Sequence, residues 1–157
     1  LPAPGAAERQ PAILRRPEVI HGLRNLIQNA VDFARTTVWV DGEWSNDRIT
    51  IRIVDDGEGY PAQVIGRIGD PFVRSRRSAQ DLAKRPEYEG MGLGLFIAKT
   101  LLERTGAELS FANASDPFLL PDERPDRCGA IVELVWPADA ILATPDLVQG
   151  SNRPITA

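Results

Sequence analysis

Two asparagines are spaced so that they could bind a polar ligand together. Asn25 and Asn29 are four residues apart in a stretch with helical periodicity, so their side chains share one face of the predicted helix. Burying a carboxamide without a hydrogen-bond partner is unfavourable, and two of them on one face suggest that something polar binds there. A carboxamide oxygen can also ligate Mg²⁺, which prefers oxygen ligands and often bridges phosphates. Taken alone, the pair is explained more simply as a solvated polar face.

An acidic, glycine-rich turn is the second candidate. Asp55-Asp56-Gly57-Glu58-Gly59 directly follows a predicted strand. A carboxylate at a strand end can accept a hydrogen bond from the exocyclic amine of adenine, whereas guanine presents an acceptor at that place, so Asp55 could select the base. Gly57 and Gly59 would let the backbone approach the ring closely. In isolation, an ordinary acidic turn is the simpler interpretation.

Three alternating glycines open a predicted helix. Gly90, Gly92 and Gly94 could combine freed backbone amides with a helix N-terminus into a phosphate cradle. A dinucleotide-binding fold is disfavoured because the spacing is G-x-G-x-G and no parallel βαβ unit precedes it. The chain also lacks a G-x-x-x-x-G-K-[ST] loop. As a lone motif, a flexible hinge explains the glycines equally well.

The segment between these glycine motifs is basic although the chain as a whole is acidic. Its basic part, residues 70–85, begins with Asp70-Pro71-Phe72 and holds a single further acid, Asp81. The basic residues of this part are Arg74, Arg76, Arg77, Lys84 and Arg85. A basic mobile loop beside a glycine cradle suits a lid over a triphosphate, because Arg and Lys offset phosphate charge. Elsewhere in a protein such a run would be a solvated charged surface.

Nucleophilic catalysis finds little support in the sequence. A Ser-His-Asp or Cys-His site would have to use His21, the only histidine, and nothing places Cys128, the only cysteine, near it. His21 is interpreted as a surface residue of the first helix. A single cysteine also excludes an internal disulfide.

Hydrophobic periodicity predicts the elements that carry these motifs. The turn signals Asp41-Gly42 and Asn46-Asp47 join the first two strands into an antiparallel hairpin. A short helical segment is predicted near residues 61–66 and a long mobile loop over residues 75–90. The predicted helices cover residues 17–35 and 93–105, and the predicted strands cover residues 37–40, 48–54, 107–113 and 130–136.

Composition favours one globular domain. The chain has 157 residues, of which 43% are hydrophobic and 25% charged, and its net charge of -4 leaves no broad basic footprint for nucleic acid. No apolar stretch approaches the ~20 residues needed to cross a bilayer, so this piece is expected to be soluble. We expect a linker remnant over residues 1–12, one domain over residues 13–137 and a weakly ordered tail over residues 138–157.

Taken together and in order, four motifs resemble the N, G1, F and G2 boxes of the sensor histidine kinase ATP-binding domain. They are Asn25-Leu26-Ile27-Gln28-Asn29-Ala30, Asp55-x-Gly57-x-Gly59, Pro71-Phe72 and Gly90-x-Gly92-Leu93-Gly94-Leu95. This family belongs to the group that includes gyrase, Hsp90 and MutL. The resemblance implies an α+β fold, a two-layer sandwich in which a mixed, mostly antiparallel sheet packs on helices, with a mobile ATP lid. It also implies ATP and Mg²⁺ as cofactors.

The resemblance assigns a role to each matching residue. Asn29 would ligate Mg²⁺, Asn25 would support the phosphates and Asp55 would bind the adenine amine. Gly57 and Gly59 would shape the base pocket. Phe72 belongs to the F box, and Arg74 and Arg77 would lie in the lid near the γ-phosphate. The G2 box contributes Gly90, Gly92 and Gly94, which would hinge the lid and cradle phosphate, together with Leu95.

Two positions distinguish this chain within the group. Gyrase-like ATPases place a water-activating Glu where this chain has Asn25, so hydrolysis is expected to be poor and transfer to a positioned histidine favoured. Asp32 stands where such kinases often carry Lys or His. The stretches NAVDFA (residues 29–34) and LLERTGAEL (residues 101–109) are similar to those of RegB/PrrB-type redox-responsive sensor kinases.

The expected function is that of a protein-histidine kinase catalytic domain. Its expected partners are a histidine-bearing dimerisation domain of the same parent kinase and a response regulator, with no nucleic acid and no direct membrane contact. The isolated domain is expected to be monomeric and cytoplasmic, with the parent protein anchored in the inner membrane. Two alternatives remain open: a gyrase- or Hsp90-like ATP-hydrolysing domain, and a non-catalytic nucleotide-binding module.

Overall fold

The structure is a computed structural model that describes residues 1–6, 8–61, 65, 87–114, 120, 122–123 and 125–142. For residues 87–92 it describes the backbone only. Residues 75–86 of the loop predicted over residues 75–90 and the tail beyond residue 142 lie outside the described residues, whereas residues 87–90 are helical. Of the short helical segment predicted near residues 61–66, Pro61 and Ile65 are described, and the Ile65 N–H donates to the Pro61 carbonyl at 3.1 Å.

Three helices lie among the described residues: α1 (Pro17–Phe33), α2 (Glu87–Glu103) and the short α3 (Ala138–Ile141). Helix α1 begins at Pro17, where the ring fixes a helical φ and the missing N–H is not needed. Helix α2 begins six residues before the predicted start. Its first turn carries Glu87 and Glu89, which suit the positive end of the helix dipole.

The sheet contains β1 (Val38–Trp44), β2 (Arg48–Asp55), β3 (Glu108–Asn113) and β4 (Ala130–Pro137). Its order is β1-β2-β4-β3, and every neighbouring pair is antiparallel. The predicted hairpin is confirmed, but Asp41 and Gly42 form no turn. They lie inside β1, because pairing with β2 continues through to Trp44 opposite Ile49.

One face of the sheet packs against α1 and α2 and forms the core. Trp136 on β4 is fully buried, and its Nε1–H donates to the Thr105 hydroxyl at 2.8 Å. Helices α1 and α2 approach closely at Gly22, where a Cβ would lie 2.4 Å from Cγ of Leu102. The fold is therefore two layers, helices on one face of a sheet, as predicted.

Both ends of the described chain are more ordered than predicted. In the segment predicted as a linker, the Ala3 N–H donates to the Trp44 carbonyl at 2.8 Å along the edge of β1. In the segment predicted as a tail, α3 buries Ile141 in the core, and the Leu14 N–H donates to the Ile141 carbonyl at 2.7 Å. Apolar burial and backbone pairing thus order residues that local composition marked as loose. None of the helices in the described ranges is long and apolar enough to span a bilayer.

Candidate functional site

Asp55, the last residue of β2, is a buried carboxylate with one oxygen left available. Its side chain is only 2% exposed. Oδ1 accepts the N–H groups of Gly57 at 2.8 Å and Ala130 at 3.2 Å. Oδ2 accepts no hydrogen bond from the described residues. A buried acceptor of this kind is suited to a donor that arrives with a ligand.

The electrostatics of Asp55 follow from its burial. Desolvation raises the pKa of its carboxyl above the ordinary value, and the neighbouring charge of Asp56 acts in the same direction. The hydrogen bonds from Gly57 and Ala130 oppose this rise because they stabilise the charged form. A ligand amine that donates to Oδ2 would favour the ionised carboxyl further.

Two glycines allow the backbone to pack around this carboxylate. A Cβ on Gly57 would lie 2.2 Å from the Phe33 carbonyl oxygen at the end of α1. A Cβ on Gly129 would lie 1.9 Å from Asp55 Oδ1, and the Gly129 N–H donates to the Asp55 carbonyl at 2.8 Å. Gly57 was predicted as a site residue, whereas Gly129 was missed. Its one signal in the sequence is a glycine directly before a predicted strand.

Asp56 has a structural task beside Asp55. Its Oδ1 accepts the backbone N–H groups of Arg35, Thr36 and Thr37 at 2.8, 2.9 and 3.1 Å, and the Thr36 hydroxyl donates to its Oδ2. Desolvation opposes its ionisation, but these hydrogen bonds outweigh it and lower the pKa of the Asp56 carboxyl. Asp56 therefore ties the connection after α1 to the end of β2.

We call residues 55–60 the acidic glycine loop. Its far end, at Tyr60, is held against β3. Gly59 has a φ of +82°, a conformation that favours glycine. Tyr60 is buried, and its ring meets Phe111 edge-on with centroids 6.1 Å apart. The Asn113 carboxamide at the end of β3 hydrogen-bonds to the Tyr60 backbone. Sequence analysis missed both Tyr60 and Asn113.

Helix α1 carries the two predicted asparagines, and its last residue, Phe33, lies against this loop. Asn25 and Asn29 are half-buried, and neither carboxamide hydrogen-bonds to a residue in the described part of the chain. Asn29 precedes Phe33 by four residues, so it lies one helical turn from the carbonyl that faces Gly57. Asp32 is exposed and accepts a hydrogen bond from Gln28 Nε2 at 2.9 Å.

The glycines of the third motif lie within α2 and do not precede it. The N–H groups that lack an intrahelical partner end at the third residue of a helix, here Glu89, so Gly90 follows directly after them. Gly92 and Gly94 follow within the helix, and a Cβ at Gly94 would meet open space. Leu95 is 1% exposed and packs in the core. Phe72, Arg74 and Arg77 lie outside the described residues.

Cys128 packs against the same loop. Its Sγ is 3.6 Å from the Asp56 carbonyl oxygen and 3.8 Å from that of Gly57. The side chain is buried and forms no disulfide. Cys128 thus belongs to the packing behind the acidic glycine loop, next to Gly129.

Comparison with known proteins establishes the class to which this fold and site belong. The sequence profile of the family described as histidine kinase-, DNA gyrase B- and HSP90-like ATPase matches residues 15–140. The chain belongs to this ATPase family. The predicted family, the α+β sandwich and the catalytic ATP-binding type of domain are confirmed.

Curated relatives within the family are sensor kinases. The chain is 72% identical over 151 residues to the sensor histidine kinase RegB of Cereibacter sphaeroides, a match that covers 96% of this chain and 33% of RegB. It is 36% identical over 102 residues to the signal transduction histidine-protein kinase AfsQ2 of Streptomyces coelicolor, covering 65% of this chain and 18% of AfsQ2. The chain therefore spans about a third of the length of the RegB relative.

Solved structures support the same fold. The mycobacterial sensor histidine kinase MprB matches with a TM-score of 0.55 at 24% identity, covering 80% of this chain and 76% of that chain. Full-length ShkA, solved in complex with AMPPNP, matches with a TM-score of 0.53 at 22% identity, covering 86% of this chain and 24% of that chain.

Proposed function

We propose that this chain is the ATP-binding catalytic domain of a two-component sensor histidine kinase. It binds Mg-ATP and presents the γ-phosphate to a histidine on a separate dimerisation domain of the same parent protein, from which the signal passes to a response regulator. The observation that carries the proposal is Oδ2 of Asp55, a buried acceptor at the end of β2 that receives no hydrogen bond from the described residues, in a chain of this ATPase family.

The base end of the site follows from Asp55. Oδ2 accepts a hydrogen bond from the exocyclic amine of adenine, while the carbonyl oxygen of guanine at that place would be repelled. Gly57 and Gly129 keep the surrounding backbone close enough to fix the carboxylate. The complex of the related ShkA with AMPPNP, an adenine nucleotide analogue, supports this assignment.

The phosphate end is assigned to α1 and α2. The carboxamide oxygen of Asn29 would hold Mg²⁺, Asn25 would hydrogen-bond to the phosphates, and the backbone at the start of α2, next to Gly90, would face them. No group of three or more His, Cys, Asp or Glu side chains suited to a metal lies in the described part of the chain. A single carboxamide oxygen from Asn29 suits an ion that is otherwise held by phosphate oxygens and water. When bound, magnesium neutralises phosphate charge.

The lid completes the proposed site. Phe72, Arg74 and Arg77 belong to the basic segment between the two glycine motifs, and the positive charge of Arg74 and Arg77 would stabilise the transferring γ-phosphate. Gly90, Gly92, Gly94 and Leu95 lie in the first half of α2, which follows this segment in the chain.

Asn25 favours transfer of the γ-phosphoryl group to histidine over hydrolysis of ATP. A carboxamide does not take a proton from water at neutral pH, so position 25 provides no general base. Water is then a poor acceptor of the γ-phosphoryl group. The bond between the γ-phosphorus and the bridging oxygen breaks when an imidazole nitrogen of the partner domain forms a new bond to phosphorus, and ADP leaves.

We further propose that the isolated domain is a monomer that contacts neither nucleic acid nor membrane. It would be cytoplasmic, with the parent protein anchored in the inner membrane. The relatives named as sensor kinases support this setting.

Phosphotransfer to a separate domain tests the proposal. The chain is incubated with ATP labelled at the γ-phosphate, Mg²⁺ and the purified histidine-bearing dimerisation domain of its parent protein. We expect acid-labile label on that domain, none when its histidine is replaced, and none on this chain. Stable phosphohistidine at His21, which is exposed on α1, would contradict the proposal. Rapid phosphate release without the partner would favour a gyrase-like ATPase instead.

A further inference from the structure

The acidic glycine loop is anchored at both ends to one row of residues across the end of the sheet. At its start, the Ala130 N–H donates to Asp55 Oδ1. At its end, the Asn113 side chain holds Tyr60. Asn113 and Ala130 are direct partners in the pairing of β3 with β4. The loop therefore crosses from β2 over β4 to β3 between two fixed points.

The second anchor is a two-point clamp. The Tyr60 N–H donates to Asn113 Oδ1 at 2.7 Å, and Asn113 Nδ2–H donates to the Tyr60 carbonyl at 2.9 Å. One planar carboxamide thus satisfies both backbone groups of a single buried residue. A hydroxyl is too small to meet both groups at once, and a carboxylate would set a negative charge against the Tyr60 carbonyl.

The clamp also accounts for Gly59. A Cβ at this position would lie 2.5 Å from Asn113 Oδ1, and the φ of +82° is one that other residues rarely adopt. The carboxamide is therefore packed against the loop as closely as a glycine permits. Burial, together with the charge of Asp55, raises the pKa of the Tyr60 phenol.

We propose that Asn113 is a positioning residue for nucleotide binding: by clamping the Tyr60 backbone it fixes the far end of the acidic glycine loop and so the shape of the base pocket around Asp55. Asn113 acts through the loop and does not touch the phosphates. This inference rests on the proposed function, in which that loop holds adenine.

The test compares Asn113→Ala and Asn113→Asp with Ser110→Ala. Ser110 lies on the same strand, is exposed and points to the opposite face of the sheet. Dissociation constants for ATP, ADP and GTP are measured by calorimetry well below each variant's melting temperature. Because two hydrogen bonds are lost, we expect Asn113→Ala to weaken ATP and ADP binding alike by about tenfold. The preference for ATP over GTP should shrink, and the dependence on Mg²⁺ should stay unchanged.

Asn113→Asp keeps the acceptor for the Tyr60 N–H and loses the donor to the Tyr60 carbonyl. Like Asn113→Ala, it should therefore weaken ATP and ADP binding and reduce the preference for ATP over GTP. It decides the matter if Asn113→Ala does not fold. Ser110→Ala should stay within about twofold of the unmodified chain, as expected of an exposed surface substitution.

Two results would overturn the inference. One is a folded Asn113 variant with unchanged ATP affinity. The other is an equal loss for ATP and GTP, which would indicate general destabilisation. If the unmodified chain bound no ATP at all, the proposed function itself would fail and this inference with it, so the two failures are distinguishable.

Discussion

Asp55 and Asp56 are adjacent carboxylates that the structure uses in opposite ways. Asp55 ends β2 and is buried, and its Oδ2 is left free by the described residues. Asp56 lies in the bend directly after β2, and its carboxylate accepts the backbone N–H groups of residues 35–37. Only Asp55 is placed to accept a donor from a ligand.

Replacing Asp55 tests its role in recognising the base. Asp55→Asn removes the charged acceptor and can turn an NH₂ group toward the adenine amine. We expect ATP binding to weaken by about 1–3 kcal/mol in calorimetry. Glu58→Gln is the matched control, because Glu58 is exposed in the same loop and should leave affinity unchanged. Equal ATP affinities for Asp55→Asn and the unmodified chain would remove Asp55 from the site.

Gly129 provides a test of how tightly Asp55 is held. A methyl group at residue 129 would fall 1.9 Å from Asp55 Oδ1, so Gly129→Ala forces the carboxylate or β4 to move. We expect a loss of about 1–3 kcal/mol in the free energy of unfolding, measured by chemical denaturation, and weaker ATP binding. Gly42→Ala is the control, since a Cβ at residue 42 meets nothing within 4 Å. If both variants behaved alike, close packing at Gly129 would not matter.

The residues that sequence analysis found and missed differ in the range of their contacts. Asp55, Gly57 and Gly59 belong to one continuous motif, so type and spacing were enough to predict them. Asn113 hydrogen-bonds to a residue 53 positions away, and Ala130, next to Gly129, to one 75 positions away. Pairing at that separation is set by the register of β3 and β4, which no local pattern specifies.

At the scale of elements, Asp56 couples the end of α1 to the end of β2. Its hydrogen bonds lower the pKa of its carboxyl, so it contributes stability above the pKa of the unfolded chain, about 4. That stability is lost as the pH falls from about 4 toward the lower pKa of the folded state. The geometry of α1 relative to the acidic glycine loop should depend on this link.

Stability against pH tests that link. We expect Asp56→Asn to lower the free energy of unfolding at pH 7 by about 1–2 kcal/mol, because the amide replaces an acceptor-only group that receives several N–H donors. The difference between Asp56→Asn and the unmodified chain should shrink as thermal unfolding is repeated from pH 7 down to pH 3. A difference that stayed constant over this range would contradict the assignment to the ionised carboxyl.

Element prediction succeeded where one face is apolar and was less accurate where tertiary contacts decide. The 3.6-residue pattern located α1, and alternation located β2. Glycines gave no periodic signal at the start of α2, so its first six residues were missed. Gly42 suggested a turn, yet pairing with Ile51 keeps it inside β1. Ile141 was assigned to a tail because composition does not reveal that α3 docks on the core.

At the scale of the whole molecule, the two layers meet where the proposed ligand would bind. Helix α1 supplies Asn25 and Asn29, the sheet supplies Asp55, and Gly57 and Phe33 are in near contact between them. A site shared between layers in this way depends on the packing of both. The chain spans about a third of the length of its RegB relative.

Nucleotide binding and phosphate release, followed in the same samples, test the central claim most directly. The purified chain is titrated with ATP in the presence of Mg²⁺, with GTP as the control nucleotide. We predict adenine-selective binding with almost no phosphate released, because Asp55 selects the nucleobase and Asn25 provides no general base for water. Steady phosphate release, or equal binding of ATP and GTP, would contradict it.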